Sequence, residues 1–408
     1  MLHEQIRPKA VVSRETTPVV SRDTTEDDLS RNVYCILGIP VDSIDLLPVI
    51  RRIESAAERA TPFFLSTPNL NYLVAAQFDP DFLESMLLSD LSPADGVSIV
   101  LIARLMGVPI KRRVPGADIF AALKARRSCK RPLKVFLFGG DEGVAATASH
   151  KMNSDGGGIC CVGLLDPGRG SVEELSRREM IDEINSSGAD FLVTCLGSRK
   201  GQLWLRHNRD KLRVPVRAHL GAVLKFEAGA VKRAPHLVQK FGLEWLWRIK
   251  EEPYLWRRYL SDANVLLRLL QTHVLPLAIR RLKQKRGRER GELSVTQIHE
   301  DTRITIKISG PAVSGRVDAI VPAFRIAIAS KKDTRIDLSK TCAIDTRFLG
   351  LLLMLRKNLK KSGVDLTFVG LSPDLRKIFE LHGVGFLLAS AGAKSSARFA
   401  TPGQATSC

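Results

Sequence analysis

Short apolar runs alternate with helical periodicity over the first half of this chain. From Val33 to about Leu220, apolar runs are followed by turn residues and then by segments in which apolar residues recur every three or four positions. The runs that predict strands lie at 62–66, 133–138, 159–164, 190–196 and 214–220. Apolar strands separated by helices are typical of a parallel sheet with both faces covered. The pattern therefore predicts an α/β fold.

The predicted sheet also indicates where a ligand binds. In open parallel sheets, ligands lie outside the carboxyl ends of the strands. The loops that follow Leu65, Phe138, Leu196 and Leu220 all begin at such ends. We therefore expect these loops to form the site.

The segment from 241 to 290 has a different character. Aromatic residues alternate with arginines between 245 and 259, and a leucine-rich stretch from Asn264 to Ile279 ends in a basic run. From Arg199 to Arg290 the chain has 23 Lys and Arg against 7 Asp and Glu. Aromatic rings and cations together suit an anionic membrane surface. The alternative is a solvated basic face on a core helix.

A second α/β pattern follows the basic segment. Strand patterns occur at 302–309, 335–338 and 364–370, and helix patterns at 348–359 and 373–382. About 95 residues are enough for a unit that folds alone.

Composition narrows the classes of function. The formal net charge of +19 predicts an anionic partner, but no helix-turn-helix, RRM or KH pattern favours nucleic acid. The seven cysteines form no CxxC pair, which predicts reduced thiols and no metal site. We find neither a signal peptide nor an apolar run of about 18 residues, so no transmembrane helix is expected.

Three features are candidates for chemistry. Asp95 lies in a Pro-Ala-Asp-Gly turn, where a carboxylate suits a general base, although most Asp-Gly pairs are Asx turns. The Gly139-Gly140 pair lies between a strand and a helix, where backbone amides can hold a phosphate; a simple tight turn explains it equally well. The arginines after residue 230 carry guanidinium groups that can bind a diphosphate bidentately. The alternative is that they are ordinary surface or interface arginines.

A series of short motifs, taken in order, resembles the WecG/TagA/CpsF glycosyltransferases over roughly Val33 to Tyr259. The motifs are Thr67-x-Asn69, Pro93-x-Asp95-Gly96, Val114-x-Gly116-x-Asp118, Phe138-Gly139-Gly140, Leu196-Gly197-Ser198-x-Lys200, Ala228-Gly229, Arg233-Ala234-Pro235, Gly242-Leu243-Glu244-Trp245, Arg248, Glu252-Pro253 and Arg257-Arg258-Tyr259. Each motif alone is weak, but their common order makes the resemblance specific.

The resemblance implies a Rossmann-like sheet with a C-terminal appendage that reaches the membrane. It implies inverting transfer of a sugar, often of the N-acetylmannosamine type, from a UDP-sugar to an undecaprenyl-diphosphate-linked acceptor without a bound metal or other cofactor. Asp95 would be the catalytic base. The implied substrate-binding residues are Thr67, Asn69, Gly139, Gly140, Gly197, Lys200, Arg233, Arg248, Arg257 and Arg258.

One loop departs from the family pattern. The family often has Gly-x-Pro-Lys-Gln-Glu-x-Trp, whereas this chain has Arg199 for Pro, Gly201 for Gln and Gln202 for Glu. The departure leaves open whether the donor is N-acetylmannosamine or another hexose.

The C-terminal unit resembles a STAS domain, through Ile336-Asp337-Leu338-Ser339, Ala343-Ile344-Asp345-Thr346, Leu349-Gly350 and Gly363-x-x-Leu366. STAS domains bind protein partners. Thr346 holds the place of the candidate phosphoacceptor, and the alternative is a helix start capped by Asp345.

Together these features predict five parts: a disordered segment at 1–31, a transferase domain at 32–240, a membrane-associating appendage and linker at 241–291, a STAS-like domain at 292–389 and a disordered tail at 390–408. We expect a cytoplasmic enzyme, peripheral on the inner face of the plasma membrane, that serves exopolysaccharide or cell-surface glycan synthesis. The alternative is a non-catalytic regulatory protein built on a degenerate transferase.

Overall fold

The structure, a computed structural model, describes residues 27–126, 131–284 and 291–389. It begins with an antiparallel hairpin of β1 (Val33–Ile36) and β2 (Ile39–Asp42). Leu37 and Gly38 form its turn, with φ of 47° and 93°, and positive φ at both central residues matches the twist of a hairpin. The sequence patterns did not predict this hairpin.

The predicted parallel sheet is present. Its strands are β3 (Phe63–Leu65), β4 (Leu133–Gly139), β5 (Ile159–Leu165), β6 (Phe191–Cys195) and β7 (Val216–His219). Their order is β3-β7-β6-β4-β5, and all the pairings are parallel. All five predicted strand runs therefore form strands of one sheet.

Helices cover both faces of this sheet, as the apolar strands predicted. The helices of this domain are, in chain order, α1 (Leu46–Glu58), α2 (Leu70–Phe78), α3 (Pro80–Leu87), α4 (Val97–Met106), α5 (Gly116–Ala125), α6 (Val144–Ser154), α7 (Arg178–Ser186), α8 (Ser198–His207) and α9 (Gly221–Ala228). Of these, α2, α3 and α4 pack in the core that contains the hairpin. Residues of α1, α5, α6 and α9 form the core on one face. Residues of α7 and α8, including the fully buried Trp204, form the core on the other face.

The basic segment folds into a series of helices. They are α10 (His236–Lys240), α11 (Glu244–Glu251), α12 (Trp256–Leu269) and α13 (Leu275–Gln284). A π-helical stretch, Leu270–Val274, joins the last two. Pro276 lies at the start of α13, and a proline lacks the N–H that a regular α-helix would donate there.

The C-terminal unit is a four-stranded sheet with helices. Its strands are β8 (Ser294–His299), β9 (Arg303–Ala312), β10 (Asp333–Ile344) and β11 (Leu366–Val369), and its helices are α14 (Val321–Ser330), α15 (Thr346–Lys361) and α16 (Pro373–Leu381). The order is β11-β10-β9-β8, with only the β8–β9 pair antiparallel among these strands. The sequence patterns did not predict β8.

Part of the segment predicted to be disordered is ordered. Residues 1–26 lie outside the described residues, but Leu29 and Arg31 are each only 2% exposed. Arg31 forms a buried ion pair with Asp42, and Asp28 pairs with Lys357. The prediction of disorder to residue 31 was therefore wrong for 27–31, because partners distant in sequence satisfy these charges.

Candidate active site

A cleft of about 1000 Å³ lies at the carboxyl ends of β3, β4, β6 and β7. Thr67, Gly139, Gly197 and Gly221 line it, and each belongs to one of the four loops that were expected to meet. The volume is at the upper end of the range for small-molecule sites. Residues of helices α11 and α12 also line the cleft.

Asp95 is fixed on one wall of this cleft. The segment before it forms one bridge to β3, from Leu91 to Leu65, and one to β2, from Pro93 to Asp42. The Asp95 amide donates to the Pro68 carbonyl at 3.0 Å. Asn69 caps α2 through its side chain and hydrogen-bonds the Asp95 carboxylate. Thr67 and Asn69 therefore lie beside Asp95.

The surroundings of Asp95 suit a proton acceptor near neutral pH. Burial raises the pKa of this carboxyl to about 7. The nearby Glu244 carboxylate raises the pKa further, and the Arg113 guanidinium opposes the rise. An aspartate with a pKa near 7 exchanges a proton readily at physiological pH.

The cleft also holds paired charges that the sequence analysis did not single out. Arg113 pairs with Glu244 across 131 residues of sequence. Lys225 lies 3.0 Å from both Asp141 and Glu252. Glu244 and Glu252 belong to motifs that carry the family resemblance. Arg113 and Lys225 belong to none, and their pairing could not be predicted because it depends on contacts between distant segments.

The predicted arginines divide into two groups. Arg233, Arg248 and Arg258 line the cleft; Arg233 pairs with Asp118, and Arg248 pairs with Glu252 at 2.5 Å. Arg257 lies outside the cleft wall, exposed, with its guanidinium 5.6 Å from the centre of the Trp256 ring. Neighbouring helical residues point in directions about 100° apart. The structure therefore places Arg233, Arg248 and Arg258 at the cleft but not Arg257, and their role in binding stays a prediction.

The remaining predicted residues also lie at the cleft. Gly139 and Gly140 have φ of 86° and 118°, values that glycine adopts without strain. A Cβ on Gly139 would come 2.6 Å from a Leu196 methyl group. Lys200 lines the cleft and donates to the Gly170 carbonyl at 2.7 Å. Gly197 precedes α8 at the cleft edge.

Comparison with known proteins identifies the first domain. The model of the "Glycosyl transferase WecG/TagA/CpsF family" matches residues 34–278. This chain belongs to that family.

Named relatives agree with this assignment. An N-acetylglucosaminyldiphosphoundecaprenol N-acetyl-beta-D-mannosaminyltransferase of Bacillus spizizenii strain W23 is 30% identical over 208 residues, which cover 51% of this chain and 79% of that protein. The protein of the same name from Bacillus subtilis strain 168 is 27% identical over 207 residues, covering 51% and 78%. The chain is therefore a glycosyltransferase, which argues against the alternative of a non-catalytic scaffold.

The second domain belongs to a different family. The model "Mlab, STAS domain" matches residues 295–389, which confirms the predicted fusion of a transferase to a STAS domain. The solved structure of the anti-sigma factor antagonist SpoIIAA in its unphosphorylated form is 18% identical, covers 22% of this chain and 81% of that chain, and has a TM-score of 0.20.

The loop in which this transferase departs from its family has a visible structural consequence. The His219 ring, only 6% exposed, occupies the space beside Gly201, and any Cβ on Gly201 would overlap it. Burial lowers the pKa of His219 to about 4, so this ring on the cleft wall is neutral at pH 7. Gln202 points away from the cleft into the core, where its amide donates to the Ser66 hydroxyl.

The described residues contain neither a metal site nor a membrane-spanning helix. Within the described ranges, no group of three or more His, Cys, Asp or Glu is placed to hold a metal ion. No helix in the same ranges is long and apolar enough to cross a bilayer. The expectations about cofactors and localisation remain predictions.

Thr346 is buried. It is the first residue of α15 and is 5% exposed, and the Asp345 side chain caps the helix by accepting from Arg347 and Phe348 amides. The local geometry is therefore that of a helix start capped by Asp345, which was the alternative to a phosphoacceptor at Thr346. A kinase would reach the Thr346 hydroxyl only if this region moved.

Proposed function

We propose that this chain transfers a sugar from a UDP-sugar to a polyprenyl-diphosphate-linked acceptor, with inversion and with Asp95 as general base. The observation that carries the proposal is the position of Asp95: a carboxyl with a pKa of about 7 faces a cleft that arginines from α11 and α12 also line. The proposal keeps the predicted division into a transferase domain, an appendage and a STAS domain.

The chemistry assigns each group one task. The oxygen of an acceptor hydroxyl attacks the anomeric carbon of the donor while its proton passes to the Asp95 carboxylate. The bond from the anomeric carbon to the UDP oxygen breaks on the opposite side, which inverts the configuration. UDP leaves with the bonding electrons and gains negative charge on its diphosphate.

The leaving diphosphate needs cations, and the cleft supplies them. Arg233, Arg248 and Arg258 are held on its wall, the first two by Asp118 and Glu252. These carboxylates keep the guanidinium groups in place before substrate binds. A diphosphate then competes with these carboxylates for the guanidinium groups. The arginines that bind it bidentately stabilise the products of transfer.

The named relatives support the class of acceptor. Both act, by their names, on N-acetylglucosaminyldiphosphoundecaprenol, and we assign the same class of lipid-linked acceptor to this chain. The donor is left as a UDP-hexose, of the N-acetylmannosamine type or another, because the His219 ring that fills the space beside Gly201 is part of the cleft wall. On this proposal the enzyme serves exopolysaccharide or other surface-glycan synthesis at the cytoplasmic face of the membrane.

The rate of transfer should depend on pH through the Asp95 carboxyl. Incubating the full chain with a panel of UDP-sugars and the lipid-linked acceptor should release UDP and give a product one sugar heavier by mass spectrometry. Since the base acts when ionised and its pKa is about 7, kcat/KM should rise with pH and level off above about 7.5, falling about tenfold per unit below 6.5. Absence of product with every donor would contradict the proposal, and a flat profile from pH 5 to 8 would contradict the role of Asp95.

An exposed apolar stripe on α13 supports contact with the membrane. Leu275, Ile279 and Leu282 are 56%, 44% and 69% exposed and lie at i, i+4 and i+7 on one helix face. Arg281 lies beside them and is exposed as well. An apolar stripe flanked by cations is typical of a helix that lies in an anionic membrane interface.

The double variant Leu275→Glu/Leu282→Glu should bind vesicles of phosphatidylglycerol and phosphatidylcholine at least about tenfold more weakly than the native chain. It removes two apolar side chains from the stripe and adds charges that anionic headgroups repel. Co-sedimentation measures the binding. Leu47→Glu is the matched control, because Leu47 is 70% exposed but lies on α1. Equal binding by the double variant and the control would refute the assignment of this face.

A further inference from the structure

The STAS domain packs against its own transferase domain through helix α15. A single apolar core contains hairpin residues such as Ile36 and Val41 together with α15 residues such as Phe348 and Leu352. Gly350 permits the close approach, because a Cβ there would lie 2.5 Å from the Val33 carbonyl oxygen. The two domains therefore share a core rather than meeting at a polar surface.

A buried lysine on the same helix reaches into the transferase domain. Lys357 is 1% exposed, and its Nζ donates to Asp28 Oδ1 at 2.8 Å, Asp90 Oδ1 at 2.7 Å and the Ser89 carbonyl at 3.0 Å. Three acceptors satisfy its three N–H donors. A buried cation with this geometry is strongly tied to its partners, because separating them would leave an unpaired charge.

A second buried cation, Arg31, contacts the same stretch of chain at Ser89 and reaches Ser92 through Asp42. Arg31 donates to the Ser89 carbonyl at 2.8 Å and pairs with Asp42 at 2.7 Å. Asp42 in turn accepts from the Ser92 amide at 2.6 Å. Two residues of the STAS domain contact Arg31. Arg347 donates to the Arg31 carbonyl at 2.7 Å, and Met354 Sδ lies 3.3 Å from the Arg31 guanidinium.

These contacts converge on the chain that leads to Asp95. Ser89 and Asp90 are held by Lys357 directly, and Ser92 is held through Arg31 and Asp42. Three residues later the chain reaches Asp95 on the cleft wall. The backbone between Ser92 and Asp95 is short and buried, so a shift of the anchored residues moves the carboxylate.

We infer that Lys357 of the STAS domain is a positioning residue for the transferase, holding the 89–95 segment so that Asp95 faces the acceptor. The catalytic part of this inference rests on the proposed function, whereas the contact of Lys357 with the segment does not depend on it. The partner of this STAS domain, at its α15 face, is thus the transferase domain of the same chain. A protein partner that used this face would have to displace the transferase and would release the segment.

In the full-length chain, Lys357→Met should lower kcat by about 10- to 100-fold while the KM for the donor changes less than about twofold, because misplacing a catalytic group slows the chemical step. Hydrogen exchange at the amides of 89–95, followed by mass spectrometry, should become faster in the same variant. Lys377→Met is the control, since Lys377 is exposed on α16 of the same domain, and it should match the native chain in both measurements.

A variant from the other side of the contact separates positioning from loss of folding. Asp90→Asn removes the charge that Lys357 meets but keeps an oxygen able to accept from the Phe64 amide, as Asp90 does at 2.9 Å. It should lower kcat in the same way, and the double variant should be no worse than Lys357→Met alone, since both changes remove one contact. Native kcat and native exchange in both single variants would overturn the inference. If Lys357→Met exchanges faster but transfer does not depend on Asp95, the role of Asp95 as base would be refuted. The contact of Lys357 with the 89–95 segment would still be supported.

Discussion

Asp95→Asn should lower kcat for sugar transfer by about 10³-fold, within the range that a positioned general base contributes. Asparagine has nearly the shape of aspartate but accepts no proton from the attacking hydroxyl. The hydrogen bond with Asn69 and the backbone bond to Pro68 do not need the charge, so substrate binding should persist. We expect the KM for the donor to stay within about twofold of the native value.

The same variant should not be less stable than the native chain. Burial raises the pKa of Asp95 from 3.8 to about 7, so the folded state disfavours the ionised form. That penalty is absent below about pH 4, grows as pH rises and is complete above about pH 7. Asparagine removes it, so the melting temperature at pH 8 should be equal or higher.

Asp182→Asn provides the matched control for this loss of activity. Asp182 is 60% exposed on α7 and pairs with Arg178 on the surface, where such pairs contribute little. It should have native kcat. Transfer at the native rate by Asp95→Asn, with a UDP-sugar that the native chain uses, would show that another group takes the proton.

Gly201→Gln, which restores the residue common in the family, should impair this enzyme. A Cβ at position 201 would overlap the buried His219 ring, and overpacking typically costs about 1–3 kcal/mol. The melting temperature should fall by about 3–10 °C, and the displaced ring should enter the cleft that it now lines. We expect kcat/KM for the donor to fall about 100-fold.

A second change tests the stated cause. His219→Ala in the Gly201→Gln background makes room for the new side chain, so it should recover most of the lost stability. Gly385→Gln controls for glycine replacement as such, because a Cβ there would be 4.0 Å from its nearest neighbour and should leave melting unchanged. If the double variant melts no higher than Gly201→Gln, the overlap with His219 is not what limits position 201.

The sequence by itself determined the sheet, the edge where the site lies and the family. Strand runs such as 133–138 and 190–196 are local patterns of apolar residues, and the sheet uses all five of them. The loops after these strands meet because parallel strands end at the same edge. The family resemblance, which rests on short motifs in a common order, implied the placement of Asp95 at one site with Thr67 and Asn69.

Tertiary structure decided the rest, because the remaining groups acquire their roles only through distant partners. Residues 27–31 are mostly polar and look disordered alone, yet the side chains of Asp28 and Arg31 pair with Lys357 and Asp42 and are only 10% and 2% exposed. Arg257 and Arg258 are indistinguishable as neighbours in a sequence, and the orientation of α12 puts only Arg258 on the cleft wall. The docking of the STAS domain on the hairpin, and with it the grip of Lys357 on the segment before Asp95, joins residues more than 260 positions apart. No local pattern encodes such a contact, since the charges are stable in the core only once both domains have folded around them.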